Sequence, residues 1–123
     1  MIKYEYYNRN PDGKRISDCV SRAISLATGL SYKTTNRLLS ITAEKFGCDK
    51  LCVCCYKHLL THYFGFKRYN CKPGTLVSDV VYDFSDSIVI IRIQGHLTCA
   101  KYGTLLDTWS CLDREADCLW VVS

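Results

Sequence analysis

Cys19, His96 and Asp107 are a thiol, an imidazole and a carboxylate whose settings along the chain let them act together. A thiol becomes a useful nucleophile when a helix N-terminus and a nearby imidazolium lower its pKa. Cys19 meets the first condition. It falls in the opening turn of a helix for which Ser17 is the expected N-cap and Asp18 an expected first-turn acid. There, unpaired N–H groups and the helix dipole favour a thiolate. One of those N–H groups, that of Cys19 itself, is placed to donate to a developing oxyanion. Asp18 would raise the thiol pKa if it pointed inward, so it is expected to face the helix N-terminus or an arginine such as Arg22.

The base must reach the thiol through the fold. His58 and His62 lie in a helical pattern, whereas His96 follows Gly95 at the head of a strand, where a missing side chain permits close approach. Lys101-Tyr102-Gly103 reads as a tight hairpin turn, which pairs residues 96–98 with 107–109. That register brings the Asp107 carboxylate to the His96 ring, fixing its tautomer and stabilising its cation. Trp109, two residues on, shares a strand face with Asp107 and can shield the pair from water.

The elements that must hold these groups follow from periodicity. Lys3–Asn8 alternates as a short strand or extended arm, and Asn8–Arg15 is turn chemistry around Pro11 and Asp12-Gly13. Val20, Ala23, Ile24 and Ala27 recur at helical spacing up to Gly29. A second helix runs from Ser31 to about Phe46, with Leu38, Leu39, Ile41 and Phe46 inward. A third is expected from about Lys50 to Phe64, with Leu51, Cys55, Leu59 and Tyr63 on one face. Phe66–Cys71 reads as a strand and Thr75–Phe84 as a short helix. Ser87–Ile93, His96–Tyr102, Thr104–Trp109 and Leu119–Val122 then read as strands. Helices first and an antiparallel sheet last is the α+β pattern. At 123 residues, with no repeat or linker, residues 1–123 are expected to form one domain.

Composition limits the alternatives. A net charge of +4, spread along the chain, is too small to argue nucleic-acid binding. The longest apolar run, around Ser87–Ile91, is far short of the ~20 residues a membrane span needs. Met1–Asn10 is aromatic and polar and does not read as a cleaved signal peptide, so the mature protein is expected to start near Met1. The nine cysteines fall inside apolar periodic segments, which favours reduced thiols packed in a cytoplasmic protein over a disulfide scaffold. Cys111 and Cys118 flank an acidic loop where they could meet across a hairpin. Cys48, Cys52, Cys54, Cys55, His58 and His62 cluster on the third helix. One helix seldom offers four ligands around one ion, so a packed thiol-rich helix is favoured over a zinc site, and no metal is assigned.

The stretches NRNPDGKRISDCVSRAISLATG and IVIIRIQGHLTCAKYGTLLDTW, with DC, GH and DTW in that order, resemble the papain-like cysteine peptidase superfamily. The resemblance is closest to its small uncharacterised members encoded in bacterial and phage genomes, and spans Asn8 to the Trp120 strand. It implies a papain-like fold, N-terminal helices on a C-terminal antiparallel sheet, with Cys19 as nucleophile, His96 as general base and Asp107 as orienting group. It further implies a hydrolase of amide bonds in peptide or protein substrates, working through a thioester without a cofactor. Deamidation or acyl transfer by the same triad, or a non-catalytic binding protein of the same fold, are the alternatives. Members usually place a Gln ahead of the cysteine as oxyanion donor. None precedes Cys19, and Asn10, Asn8 and Gln94, beside Gly95 and His96, are the candidates to replace it.

Overall fold

The computed structural model describes residues 2–123. Four helices, mostly N-terminal, pack on a six-stranded sheet, giving an α+β fold. The strands are β1 (Lys3–Tyr6), β2 (Lys67–Asn70), β3 (Ile88–Ile93), β4 (His96–Lys101), β5 (Thr104–Asp107) and β6 (Ala116–Val121). Their order across the sheet is β1-β5-β4-β3-β6-β2. The sheet is mixed rather than antiparallel throughout, because β1 pairs in parallel with β5, with Tyr6 opposite Asp107. That pairing needs a long crossover, which the intervening helices and β3–β4 provide.

The helices are α1 (Cys19–Thr28), α2 (Tyr32–Phe46), α3 (Val53–His58) and α4 (Val77–Asp83). Gly29 and Gly47 close α1 and α2 in the left-handed conformation that a Cβ would disfavour. Ser31 caps α2 by accepting from the Thr34 N–H. The buried face of α2 is Thr35, Leu39 and Ala43, while Ile41 and Phe46 are exposed, contrary to the expected inward set. The third helix starts at Val53, later than the expected Lys50, and its helical course runs on to the expected end beside Phe64. After His58 it widens into a π-helical turn over Leu59–Tyr63, closed by the Phe64 N–H donating to the Leu59 carbonyl. Cys55 and Leu59 are buried, whereas Leu51 falls before the helix start and Tyr63 is turned outward by the wider turn, and both are exposed.

Two apolar clusters lie on the two faces of the sheet. One joins α1, α2 and α3 to Ile90, Leu97, Cys99, Cys118 and the fully buried Trp120. The other joins α4 to Val89, Ile91, Ile93, Leu105 and Leu119. Alternation along β3 and β6 accounts for the division. Cys111 belongs to the second cluster and Cys118 to the first, so these two thiols do not meet across a hairpin. All nine cysteines are free, and Cys55, Cys99, Cys111 and Cys118 serve as small buried residues. Among the described residues no helix is long and apolar enough to cross a membrane.

Candidate active site

Each group of the site is delivered by an element boundary. Cys19 is the first residue of α1, His96 the first of β4 and Asp107 the last of β5. The β4–β5 register, Cys99 with Leu106 and Ala100 with Leu105, carried one residue further sets Thr98 opposite Asp107. The turn beyond it has Tyr102 at φ 49° and Gly103 at φ 85°, the paired positive angles of a two-residue hairpin. At the other end Gly95, at φ 73°, makes the turn that releases β4 from β3.

Asp107 is 3% exposed and each of its oxygens has two donors. Oδ2 accepts from His96 Nε2 at 2.6 Å and from Thr98 Oγ1 at 2.6 Å. Oδ1 accepts from Arg22 Nη1 at 2.9 Å and from the Thr108 N–H at 2.7 Å. Burial alone would raise this carboxyl pKa. The His96 and Thr98 hydrogen bonds, the His96 charge and the Thr108 amide outweigh it and hold the group below the usual carboxylate range.

With Nε2 committed to Asp107, Nδ1 is the ring nitrogen left for Cys19. The thiol and the ring line a shared pocket on either side of the site and shift each other's ionisation. Burial works against the imidazolium, yet hydrogen bonds to Asp107 and Cys19, and their charges, push the His96 pKa up to about 9. The converse holds for sulfur: burial raises the Cys19 thiol, but His96, the Leu97 backbone amide and the Arg22 charge lower it overall. The arrangement therefore favours a thiolate–imidazolium pair. The contrast with Cys99 and Cys111, whose thiols burial pushes up to about 12, marks Cys19 as chemically distinct.

Asp18 occupies the N-cap position of α1, yet its side chain makes no capping bond, leaving the first amides of the helix without a side-chain partner. Its carboxylate accepts from Arg22 Nε at 2.7 Å, from Asn10 Nδ2 at 2.9 Å and from the Tyr32 hydroxyl at 2.7 Å. It thus turns to Arg22, one of the two directions its sequence setting allowed. Ser17, expected as the cap, lies one residue outside it.

Of the three oxyanion candidates, Asn10 and Asn8 are hydrogen-bonded elsewhere, and Gln94 lines another pocket. Asn10 is buried, giving its amide to Asp18 and accepting from the Asp12 N–H. Asn8 donates to the Lys14 carbonyl. Gln94 lines a different pocket with Cys71, Lys72 and Arg92. Trp109 lies against His96, ring centroids 5.0 Å apart, and the Arg114 guanidinium sits over the Trp109 ring, 5.3 Å from its centroid.

Two grooves meet at Cys19 and His96. One is lined by Arg15, Ile16, Gly95, Thr108 and Trp109. The other is apolar, lined by Val20, Leu51, Val53, Tyr56 and Leu97.

Donor atoms of His96, Asp107 and Cys111 lie within 4.8 Å of one another, the spacing of a metal site. Asp107 already has four donors, one of them the Arg22 cation, and Cys111 is held as a neutral thiol, so the chemistry of the set suits hydrogen bonding better than an ion. Among the described residues the Cys48–His62 segment supplies no such group. There His58 stacks on Phe46 at 4.0 Å and Cys55 gives its thiol to the Leu39 carbonyl.

Arg22 is the functional-site residue that sequence reasoning saw only in part. Its i, i+4 relation to Asp18 was readable, but its bond to Asp107, 85 residues away, depends on how α1 crosses the sheet. In comparisons with known proteins the chain matches no family model, no curated protein and no solved structure.

Proposed function

We propose that this chain is a papain-like, cysteine-dependent hydrolase of amide bonds, encoded by a bacterial or phage genome and acting on peptide or protein substrates in the cytoplasm of a bacterial cell. The observation that carries this reading is the juxtaposition of Cys19 with His96 at the head of two shared grooves and the His96–Asp107 bond behind it, in which each group shifts the next towards its working ionisation. The Cys19 thiolate attacks the amide carbonyl, and the carbonyl electron pair moves to oxygen. The uncapped amides at the head of α1 face the developing charge. His96 then gives its proton to the leaving amine as the C–N bond breaks, producing a thioester on Cys19. Water, deprotonated by His96, attacks the thioester and the thiolate leaves. Asp107 holds the imidazole by Nε2 throughout, so Nδ1 is the nitrogen that carries the proton.

The paired grooves support a peptide-like substrate, since Cys19 and His96 line both and one of the two is apolar. The test is intact-protein mass spectrometry after treatment with an electrophilic peptide-like inhibitor. One adduct, mapped to Cys19 and absent in Cys19→Ala, is expected. Labelling spread over exposed Cys54 and other thiols, with no preference for Cys19, would contradict the reading.

A further inference from the structure

Resting on the triad reading above, we propose that Arg22 is the positioning residue of this site, a buried cation that clamps Asp107 against His96 and sets the charge balance of the Cys19–His96 pair. Arg22 stands one helical turn after Cys19 on α1, so one short helix carries both the nucleophile and the clamp. Its side chain is 11% exposed and bonds two buried carboxylates, Asp18 through Nε and Asp107 through Nη1. Both carboxylates are themselves anchored, Asp18 by Asn10 and Tyr32, Asp107 by Thr98 and Thr108. The network therefore runs without a break from the loop before α1, through the helix, to the sheet.

Two consequences follow. First, Arg22 and the Thr108 N–H hold Oδ1, which leaves Oδ2 aimed at the imidazole. Without the guanidinium, Oδ1 loses its charged donor and the carboxylate is freer to turn away. Second, the buried charges balance around Arg22. Asp18, Asp107 and a Cys19 thiolate carry negative charge; Arg22 and a His96 imidazolium carry positive charge. The neighbouring titratable and charged groups are Cys19 on α1 and Asp18 at its cap, Tyr32 on α2, Tyr56 on α3, Arg92 on β3, His96 on β4, Asp107 on β5, Cys111 after it, and Tyr7, Arg9 and Arg15 from the segment between β1 and α1. Removing the guanidinium leaves two anions beside the sulfur and makes a third harder to form.

The test uses the pH dependence of Cys19 alkylation by iodoacetamide, read by peptide mass spectrometry, which needs no turnover. In Arg22→Gln the alkylation midpoint is expected to rise by about one pH unit, a roughly tenfold loss of rate at neutral pH. Arg22→Lys should bring the midpoint back by restoring the charge. Hydrolysis by Arg22→Lys should still show a reduced kcat with KM little changed, because an ammonium cannot reproduce the fork across two carboxylates. Asp18→Asn gives the opposite sign, a lower midpoint, and keeps the proposal testable if Arg22→Gln does not fold. Midpoints unmoved in folded variants, whatever their melting temperatures, would overturn the proposal and make Arg22 purely structural. A wild-type Cys19 that reacts no faster than the other thiols would instead sink the triad reading itself, so the two failures are distinguishable.

Discussion

At the scale of single residues the site depends on Asp107, whose two oxygens meet four donors from α1, β4 and its own neighbouring backbone. Asp107→Asn replaces an acceptor with an amide that turns N–H groups towards donors. Turnover is expected to fall by about 10⁴-fold, by analogy with the loss of an orienting carboxylate. Stability should fall by about 3 kcal/mol, since Arg22 is left with one buried partner instead of two. Steady-state kinetics and denaturant titration check the two effects. Cys19→Ala should abolish activity and change stability by less than about 1 kcal/mol, because the residue is only half-buried at a helix start. The thiol, imidazole and carboxylate were legible because a helix start and a short hairpin fix them by local rules. The engagement of Asn10 with Asp18, and of Arg22 with Asp107, was not, since each needs the tertiary path of α1.

At the scale of elements, the β4–β5 hairpin sets the distance between base and orienting group. Tyr102 there adopts φ 49° although it carries a Cβ, and it is exposed. Tyr102→Asn is expected to stabilise the protein by about 0.5–1 kcal/mol without altering the site, because Asn tolerates this conformation better. Thermal unfolding checks it, and a lower melting temperature would contradict it. The hairpin was readable from Tyr102-Gly103 alone, as were the ends of α1 and α2 from Gly29 and Gly47. The third helix ends beside Phe64 as its periodicity implies but starts later than expected, at Val53, and the π-helical turn inside it was hidden because no residue between Leu59 and Tyr63 announces it. The parallel placement of β1 was equally hidden: an isolated strand of Lys, Tyr and Glu carries no mark of its partner's direction.

At the scale of the whole molecule, α1 packs on β4 and β3 and sets its ionised groups against the ends of the interior strands β4 and β5, so stability is tied to pH. Asp18 and Asp107 have lowered pKa values in the fold. Their contribution is present above the ordinary value of 3.8 and is lost as pH falls through the lowered folded values. His96 acts in the opposite sense. Its stabilisation is complete below 6.5 and is lost as pH rises through about 9. The lowered Cys19 pKa offsets part of that alkaline loss, so the decline is clearest in Cys19→Ala. Denaturant titrations of that variant should show stability falling above pH 6.5, and the additional change His96→Gln should remove the fall. A decline of equal size in both proteins would assign it to other groups. The α+β class was legible at this scale because helical periods precede strand periods along the chain. The distribution of cysteines over both sheet faces was not, since it follows from strand register that only the assembled sheet defines.

Everything chemical proposed for this protein requires a thiolate on Cys19 beside a protonated His96. The difference in ultraviolet thiolate absorbance between wild type and Cys19→Ala, followed against pH, reads that ionisation directly. A thiolate signal already present at neutral pH, lost on acidification and altered by His96→Gln, is the expected result. A signal that emerges only near pH 9, the ordinary value for an isolated thiol, and is indifferent to His96, would contradict the account.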